Sequence, residues 1–128
     1  MPQYLMLIYT PAQGGPSPEQ LAEMGPQWDQ YTQDLQDAGL FLGGNALQGV
    51  DVATTVRVRD GETQITDGPF AETKECLGGY YLVEAPDLDT VLGWAARIPN
   101  VHYGSLEVRP ILDIPQARAA AAQAAAQA

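Results

Sequence analysis

Residues 66–75, with the sequence TDGPFAETKE, separate two runs of β-forming residues and are longer than a strand-to-strand turn requires. A hairpin loop needs only about two to five residues. Asp67-Gly68 favours a tight turn, Pro69 fixes its own φ angle, and Phe70 supplies an apolar anchor, so a rigid corner is predicted. The mixed charges of residues 72–75 follow, a pattern typical of a ligand-facing loop and also of a plain solvated loop.

The first strand is predicted at residues 3–10, where apolar side chains occupy both faces. One face carries Tyr4, Met6 and Ile8, and the other carries Leu5, Leu7 and Tyr9. This pattern indicates a strand that is covered on both sides. In a domain of this size helices can cover one face, and a second copy of the chain is the simplest cover for the other.

Two helices are predicted from capping residues and apolar spacing. Ser17 precedes Pro18 as an N-cap, and apolar residues then recur every three or four positions until Gly39 ends the helix. Gly25-Pro26 interrupts this run without shifting its phase, which predicts either a kink or two abutting helices. A second helix begins after Asp87 and stops before Pro99.

The remaining strands complete an α+β pattern. They are predicted at residues 40–42, at 54–59 and 62–66 joined by the Asp60-Gly61 turn, at 78–84 and at 103–112. The strand at 54–59 alternates apolar and polar residues, which predicts a half-exposed strand. This element order predicts a mainly antiparallel sheet with helices on one face. We therefore expect one domain over residues 1–113 and an Ala/Gln-rich tail, helical or disordered, over residues 114–128.

The composition excludes several classes of partner. Six basic residues against sixteen acidic ones give a net charge of −10, which disfavours direct nucleic-acid binding.

Cys76 is the only cysteine, so an intrachain disulfide is excluded and a reducing compartment is consistent. The apolar run of residues 4–9 is too short for a signal peptide core or a membrane span. We expect a cytoplasmic protein that binds no membrane.

The corner and its surroundings also carry a family resemblance. Asp67 to Glu75, followed by residues 77–82, resembles the signature of the DGPF group within the YCII-related family. Further similar stretches are residues 4–9, 54–59 and 104–110, so the resemblance covers residues 3 to about 112. It implies a ferredoxin-like α+β domain that forms a dimeric α/β barrel, hence a homodimer. Members of the DGPF group are often encoded beside extracytoplasmic-function sigma factors, which implies a sigma factor as a further partner.

The candidate site follows from the corner. Family members carry a histidine on the first helix, paired with an aspartate, but this chain has no histidine there and its only one is His102. Asp67 and His102 are therefore the catalytic candidates, and whether the chain is an enzyme stays open. Asp67 has an equally physical structural role, since an Asp before Gly commonly accepts backbone N–H bonds. The candidate ligand-binding residues are Tyr9, Asp67, Phe70, Glu72, Lys74, Glu75 and Tyr81. One histidine and one cysteine predict no transition-metal site, and no cofactor motif is present.

Two functions and one structural role remain in competition. The first is a small-molecule-binding protein or weak enzyme of unknown substrate, with a pocket near the loop of residues 67–75. The alternative is a regulatory or interaction protein that acts with an extracytoplasmic-function sigma factor. The third reading leaves the loop as a contact between two copies of the chain.

Overall fold

The computed structural model describes residues 1–127, which form six strands, three α-helices and two 3₁₀ turns. The strands are β1 (Gln3–Pro11), β2 (Phe41–Ala46), β3 (Thr54–Arg59), β4 (Glu62–Asp67), β5 (Glu75–Glu84) and β6 (Ser105–Pro110). The helices are α1 (Pro18–Asp37), α2 (Leu88–Ala95) and α3 (Ile114–Ala126), and the 3₁₀ turns are Val50–Val52 and Pro99–His102.

Four strands form an antiparallel sheet in the order β2-β5-β1-β6. The predicted α+β class with a mainly antiparallel sheet is confirmed. β5 begins three residues before the predicted strand, because Glu75 pairs with Pro11 and Cys76 pairs with Thr10 of β1. The last residue of the charged loop therefore belongs to the sheet.

The core lies between one face of this sheet and helices α1 and α2. Tyr4, Met6 and Ile8 of β1 are buried there, together with Leu35 of α1 and Val91 of α2. The opposite face of the sheet, which we call the outer face, carries Leu5, Leu7 and Leu82, and these side chains are half-buried. Both faces of β1 are thus apolar, as its alternation predicts, and the helices of residues 1–127 cover only the face that carries Tyr4, Met6 and Ile8.

The predicted start and end of α1 are confirmed. The Ser17 hydroxyl accepts a hydrogen bond of 3.2 Å from the backbone N–H of Gln20, and the Ser17 N–H donates to the Gln20 side chain at 2.9 Å. Gly39 has a φ angle of +77° just after the helix, a conformation that favours glycine. Pro26 lies inside α1, so a single helix rather than two abutting helices spans this segment.

In the described part of the chain, strands β3 and β4 pair only with each other and form a separate hairpin. Its turn is confirmed at Asp60 and Gly61, whose φ angles are +54° and +78°. The prediction of a half-exposed β3 is wrong, since Val56 is 61% exposed and Ile65, opposite it on β4, is 70% exposed. The reason is that the hairpin does not join the main sheet, and among residues 1–127 no other element covers its apolar face.

The Ala/Gln-rich tail holds α3, whose N-cap is Asp113. The Asp113 carboxylate accepts a hydrogen bond of 3.0 Å from the backbone N–H of Gln116. The helix is exposed along almost its whole length. Ala128, the last residue of the predicted tail, lies outside the described residues.

Candidate functional site

A pocket of about 370 Å³ lies between α1 and the core-facing side of the sheet, and we call it the α1 pocket. Its lining comes from α1, from β1, β2 and β5, and from the segment before β6. The lining residues are Ile8, Thr10, Leu21, Trp28, Thr32, Phe41, Gly44, Asn45, Ala46, Gly78, Gly79, Tyr80, Tyr81 and Tyr103.

Glycines on two paired strands allow neighbouring atoms to approach the sheet closely. Gly44 of β2 pairs with Tyr81 of β5, and Gly79 pairs with Ala46. A Cβ atom at Gly44 would lie 2.8 Å from the Tyr80 carbonyl oxygen and 2.9 Å from the Tyr81 ring, so no larger residue fits without a shift. Because these positions carry no side chain, the floor of the α1 pocket is backbone.

Aromatic rings form the inner wall, with Tyr81 at the centre. The Tyr81 ring lies 6.5 Å from that of Trp28, with 19° between the planes. Phe41 meets it edge-on at a centroid distance of 6.2 Å. Tyr31, which does not line the α1 pocket, also meets the Tyr81 ring edge-on, at 5.6 Å. Such a wall offers apolar contact and ring edges to a flat molecule.

A pair of hydroxyl groups supplies the polar centre. The Thr32 Oγ1 and Tyr81 Oη atoms lie 2.7 Å apart, and Thr32 also donates to the Trp28 carbonyl oxygen at 3.0 Å. Burial raises the pKa of Tyr81, and the negative charge of Asp29 raises it further, whereas the hydrogen bond from Thr32 to the phenolate lowers it. Tyr81 is therefore a neutral phenol at physiological pH.

The described residues that line the α1 pocket include no Asp, Glu, Lys, Arg or His. Its polar groups are hydroxyls, the Asn45 amide and backbone. Such a lining can bind a molecule through apolar contact and hydrogen bonds, but it supplies no charge to neutralise an anion.

The predicted ligand-binding residues are divided among different places. Tyr81 lines the α1 pocket, whereas Tyr9, Lys74 and Glu75 line an open hollow beside β6. In that hollow the Ser105 hydroxyl donates a 2.9 Å hydrogen bond to the Glu75 carboxylate.

The other loop residues are exposed and line neither of these cavities: Asp67, Phe70 and Glu72. The corner itself is held by the hairpin, since Thr55 Oγ1 donates to the Gly68 carbonyl at 2.8 Å and Arg57 donates to the Phe70 carbonyl at 3.1 Å. The structure therefore brings Tyr9, Lys74 and Glu75 together but separates them from Asp67 and from Tyr81.

His102, the second catalytic candidate, is exposed at the end of a 3₁₀ turn. It lines a shallow groove on the far side of α1 together with Tyr31, Asp34 and Arg97, and that groove does not include Asp67. Arg97 and Asp34 form an ion pair of 3.1 Å there. The structure thus does not assemble Asp67 and His102 into one site.

Sequence reasoning missed Trp28, Thr32 and Tyr103 as lining residues. The available signal was the two glycine pairs, Gly43-Gly44 and Gly78-Gly79, on strands that lie side by side.

Within residues 1–127, no three His, Cys, Asp or Glu side chains converge as a metal site would require. None of the helices in this range has both the length and the apolar character to cross a bilayer.

Comparison with known proteins supports the family resemblance. An uncharacterised protein of Rhizobium meliloti (strain 1021) is 49% identical over 61 residues, a match that covers 46% of this chain and 49% of that protein. The chain therefore spans about half the length of the curated relative it matches. A family model described as the YCII-related domain matches residues 2–115. The chain belongs to the YCII-related family.

Proposed function

We propose that the protein binds a small, uncharged and largely apolar molecule in the α1 pocket. The observation that carries this proposal is the pocket itself, a partly open cleft of about 370 Å³ lined by Trp28, Phe41 and Tyr81 and by the backbone of Gly44 and Gly79. Ligand pockets in proteins range from about 300 to 1,000 Å³. A cavity of about 150 Å³ holds benzene, so this volume fits a molecule of one or two rings.

The charge of the ligand follows from the lining. An anion in the α1 pocket would lose its hydration without gaining a cationic partner, which is costly in a partly buried site. The net charge of −10 adds long-range repulsion. A neutral ring system loses little on leaving water and gains contact with the aromatic wall.

Binding is better supported than catalysis. The lining residues, all within residues 1–127, include no carboxylate, histidine or lysine to act as a general base near neutral pH. Their hydroxyl groups suit recognition of one polar group on the ligand. We therefore propose a binding protein rather than an enzyme.

We further propose that the chain is a DGPF-group member with a ferredoxin-like fold and assembles as a dimeric α/β barrel. The strand order β2-β5-β1-β6, with both core helices on one face, supports the fold. The half-buried Leu5, Leu7 and Leu82 of the outer face support the dimer, since a self-complementary apolar face is suited to a two-fold interface. In this proposal the tail after residue 113 is dispensable for ligand binding.

The test uses the indole N–H signals of the two tryptophans in ¹H–¹⁵N NMR spectra. Trp28 lines the α1 pocket, whereas Trp94 packs under Arg97, whose guanidinium lies 4.3 Å from the ring centroid. Trp28→Phe and Trp94→Phe assign the two signals. Titration with naphthalen-2-ol should shift the Trp28 signal and leave that of Trp94 in place. Naphthalene-2-carboxylate, with the same rings and a charge, should bind at least about tenfold more weakly.

A blocking variant locates the binding. Ala46→Phe places a ring in the α1 pocket and should abolish the shift, whereas Ala122→Phe on the exposed α3 should preserve it. The proposal is wrong if neutral ring compounds leave the Trp28 signal unmoved. Saturable binding of a sigma factor, with no ligand response, would favour the regulatory alternative.

A further inference from the structure

The hydroxyl hydrogens at the centre of the α1 pocket can be assigned by counting. Thr32 has a single hydroxyl hydrogen, and the Trp28 carbonyl oxygen 3.0 Å away can only accept. Either oxygen of the 2.7 Å contact between Thr32 and Tyr81 could be its donor. We assign the Thr32 hydrogen to the Trp28 carbonyl, and in this assignment Tyr81 donates to Thr32.

This assignment determines what the pair offers to a ligand. The Tyr81 hydrogen is already committed to Thr32, so the Tyr81 oxygen retains only lone pairs. Thr32 has likewise committed its one hydrogen. Both side chains line the α1 pocket, so in this assignment the pair of Thr32 and Tyr81 presents hydrogen-bond acceptors and no free donor.

We propose that the ligand carries an O–H or N–H donor on a flat apolar body, as phenols and aromatic amines do, and donates it to Tyr81 Oη. This inference rests on the proposed function, since it specifies the ligand of the same pocket. The oxygen of a ketone or ether in the same pose would face the Tyr81 oxygen with lone pairs on both atoms. The Tyr81 acceptor would then stay without a hydrogen bond.

The protonation state of Tyr81 is consistent with this acceptor role. Burial raises the pKa of Tyr81, the hydrogen bond with Thr32 lowers it, and the negative charge of Asp29 raises it. The phenol therefore stays neutral, and its oxygen can accept a hydrogen bond. Asn45 donates one of its two side-chain N–H hydrogens to the Tyr80 hydroxyl at 2.9 Å.

The test compares two ligands that differ in one hydrogen-bond donor. Naphthalen-2-ol has the donor, and 2-methoxynaphthalene has the same rings and an acceptor only. In the unmodified protein we expect the naphthol to bind at least about tenfold more tightly, measured by NMR titration or calorimetry. This comparison needs no variant, so it does not depend on any substitution folding.

Variants then test the assignment of the hydrogens. Thr32→Val removes the acceptor of the Tyr81 hydrogen, so Tyr81 becomes free to donate to the ligand. The ether should then bind more tightly, and the preference for naphthalen-2-ol over 2-methoxynaphthalene should fall below about threefold. Thr32→Ser keeps the hydroxyl and should restore the preference. Tyr81→Phe should weaken the binding of naphthalen-2-ol and leave that of 2-methoxynaphthalene unchanged. Tyr31→Phe is the matched control, because the Tyr31 hydroxyl donates to the Trp94 carbonyl and does not line the α1 pocket, so the preference should persist.

The outcomes separate this inference from the proposed function. If both ligands bind equally to the unmodified protein, the donor inference is wrong and the pocket proposal stands. An unchanged preference in Thr32→Val likewise overturns the assignment of the hydrogens. If neither ligand binds, both proposals fail together.

Discussion

The hydroxyl of Tyr31 lies 2.8 Å from the carbonyl oxygen of Trp94 and donates a hydrogen bond that joins α1 to the end of α2. The two rings also meet edge-on, with centroids 6.1 Å apart. Burial raises the pKa of Tyr31 well above its ordinary value, the neighbouring Tyr81 raises it further, and Arg97 lowers it. This contact fixes the helix that forms one side of the α1 pocket.

The raised pKa of Tyr31 predicts a loss of stability at alkaline pH. The unfolded chain releases the tyrosine proton near pH 10, whereas the folded chain retains it to higher pH. The stabilisation is therefore complete below about pH 10 and is lost as the pH rises towards the folded pKa, by up to about 1.4 kcal/mol per pH unit for each such tyrosine. Urea unfolding between about pH 8 and 11 should show this decline, and Tyr31→Phe should make it shallower. Equal declines in both proteins would contradict the account.

Two glycines of different surroundings should respond oppositely to alanine. A Cβ atom at Gly104 would collide with the carbonyl oxygen of Tyr9 and with the Asn100 amide, which donates to that carbonyl at 3.1 Å. We expect Gly104→Ala to destabilise the fold by about 1–3 kcal/mol. Gly93, inside α2, has open space at the same position, so Gly93→Ala should stabilise by up to about 1 kcal/mol. Denaturant midpoints measure both, and a similar loss in the two variants would argue against this packing.

Asp67 should be unnecessary for ligand binding in the α1 pocket. It ends β4, is exposed, and does not line that pocket. We expect Asp67→Ala to leave the affinity for naphthalen-2-ol within about twofold, and Phe41→Ala, on the pocket wall, to reduce it by about tenfold or more. A large loss of affinity for naphthalen-2-ol in Asp67→Ala would contradict binding in the α1 pocket and would favour the loop of residues 67–75 as the site.

The outer face should govern assembly. Leu82 is half-buried on this face, and a lysine there would need to keep its charge hydrated. Leu82→Lys should lower the mass measured by sedimentation from that of a dimer to that of a monomer. Gln33→Lys adds the same charge on the exposed side of α1 and should leave the dimer intact. A monomeric unmodified chain would rule out the barrel.

Much of the fold could be predicted from local patterns. The Ser17 cap, the Gly39 stop, the alternation of Tyr4, Met6 and Ile8, and the Asp60-Gly61 turn each depend on a few neighbouring residues. Because these signals depend on neighbouring residues, they can be recognised without knowledge of the tertiary structure. The exposure of Val56 could not be predicted this way, because it depends on where the whole hairpin packs.

The candidate site was harder to predict for the same reason. Thr32 and Tyr81 lie on different elements and meet only through the packing of α1 on the sheet. The charged loop was predicted as the site because charged side chains can be recognised in a sequence. The residues that line an uncharged pocket cannot be distinguished from core residues by sequence alone. Gly44 and Gly79, on the neighbouring strands β2 and β5, are the signal in the sequence for pocket positions that carry no side chain.

The most direct test of the central claim is a crystal structure of the protein with naphthalen-2-ol. We expect the ligand between α1 and the sheet, its rings against Trp28 and Phe41, and its oxygen within hydrogen-bond distance of Tyr81 Oη. Ligand bound beside Asp67, or an α1 pocket closed by its own side chains, would contradict the account.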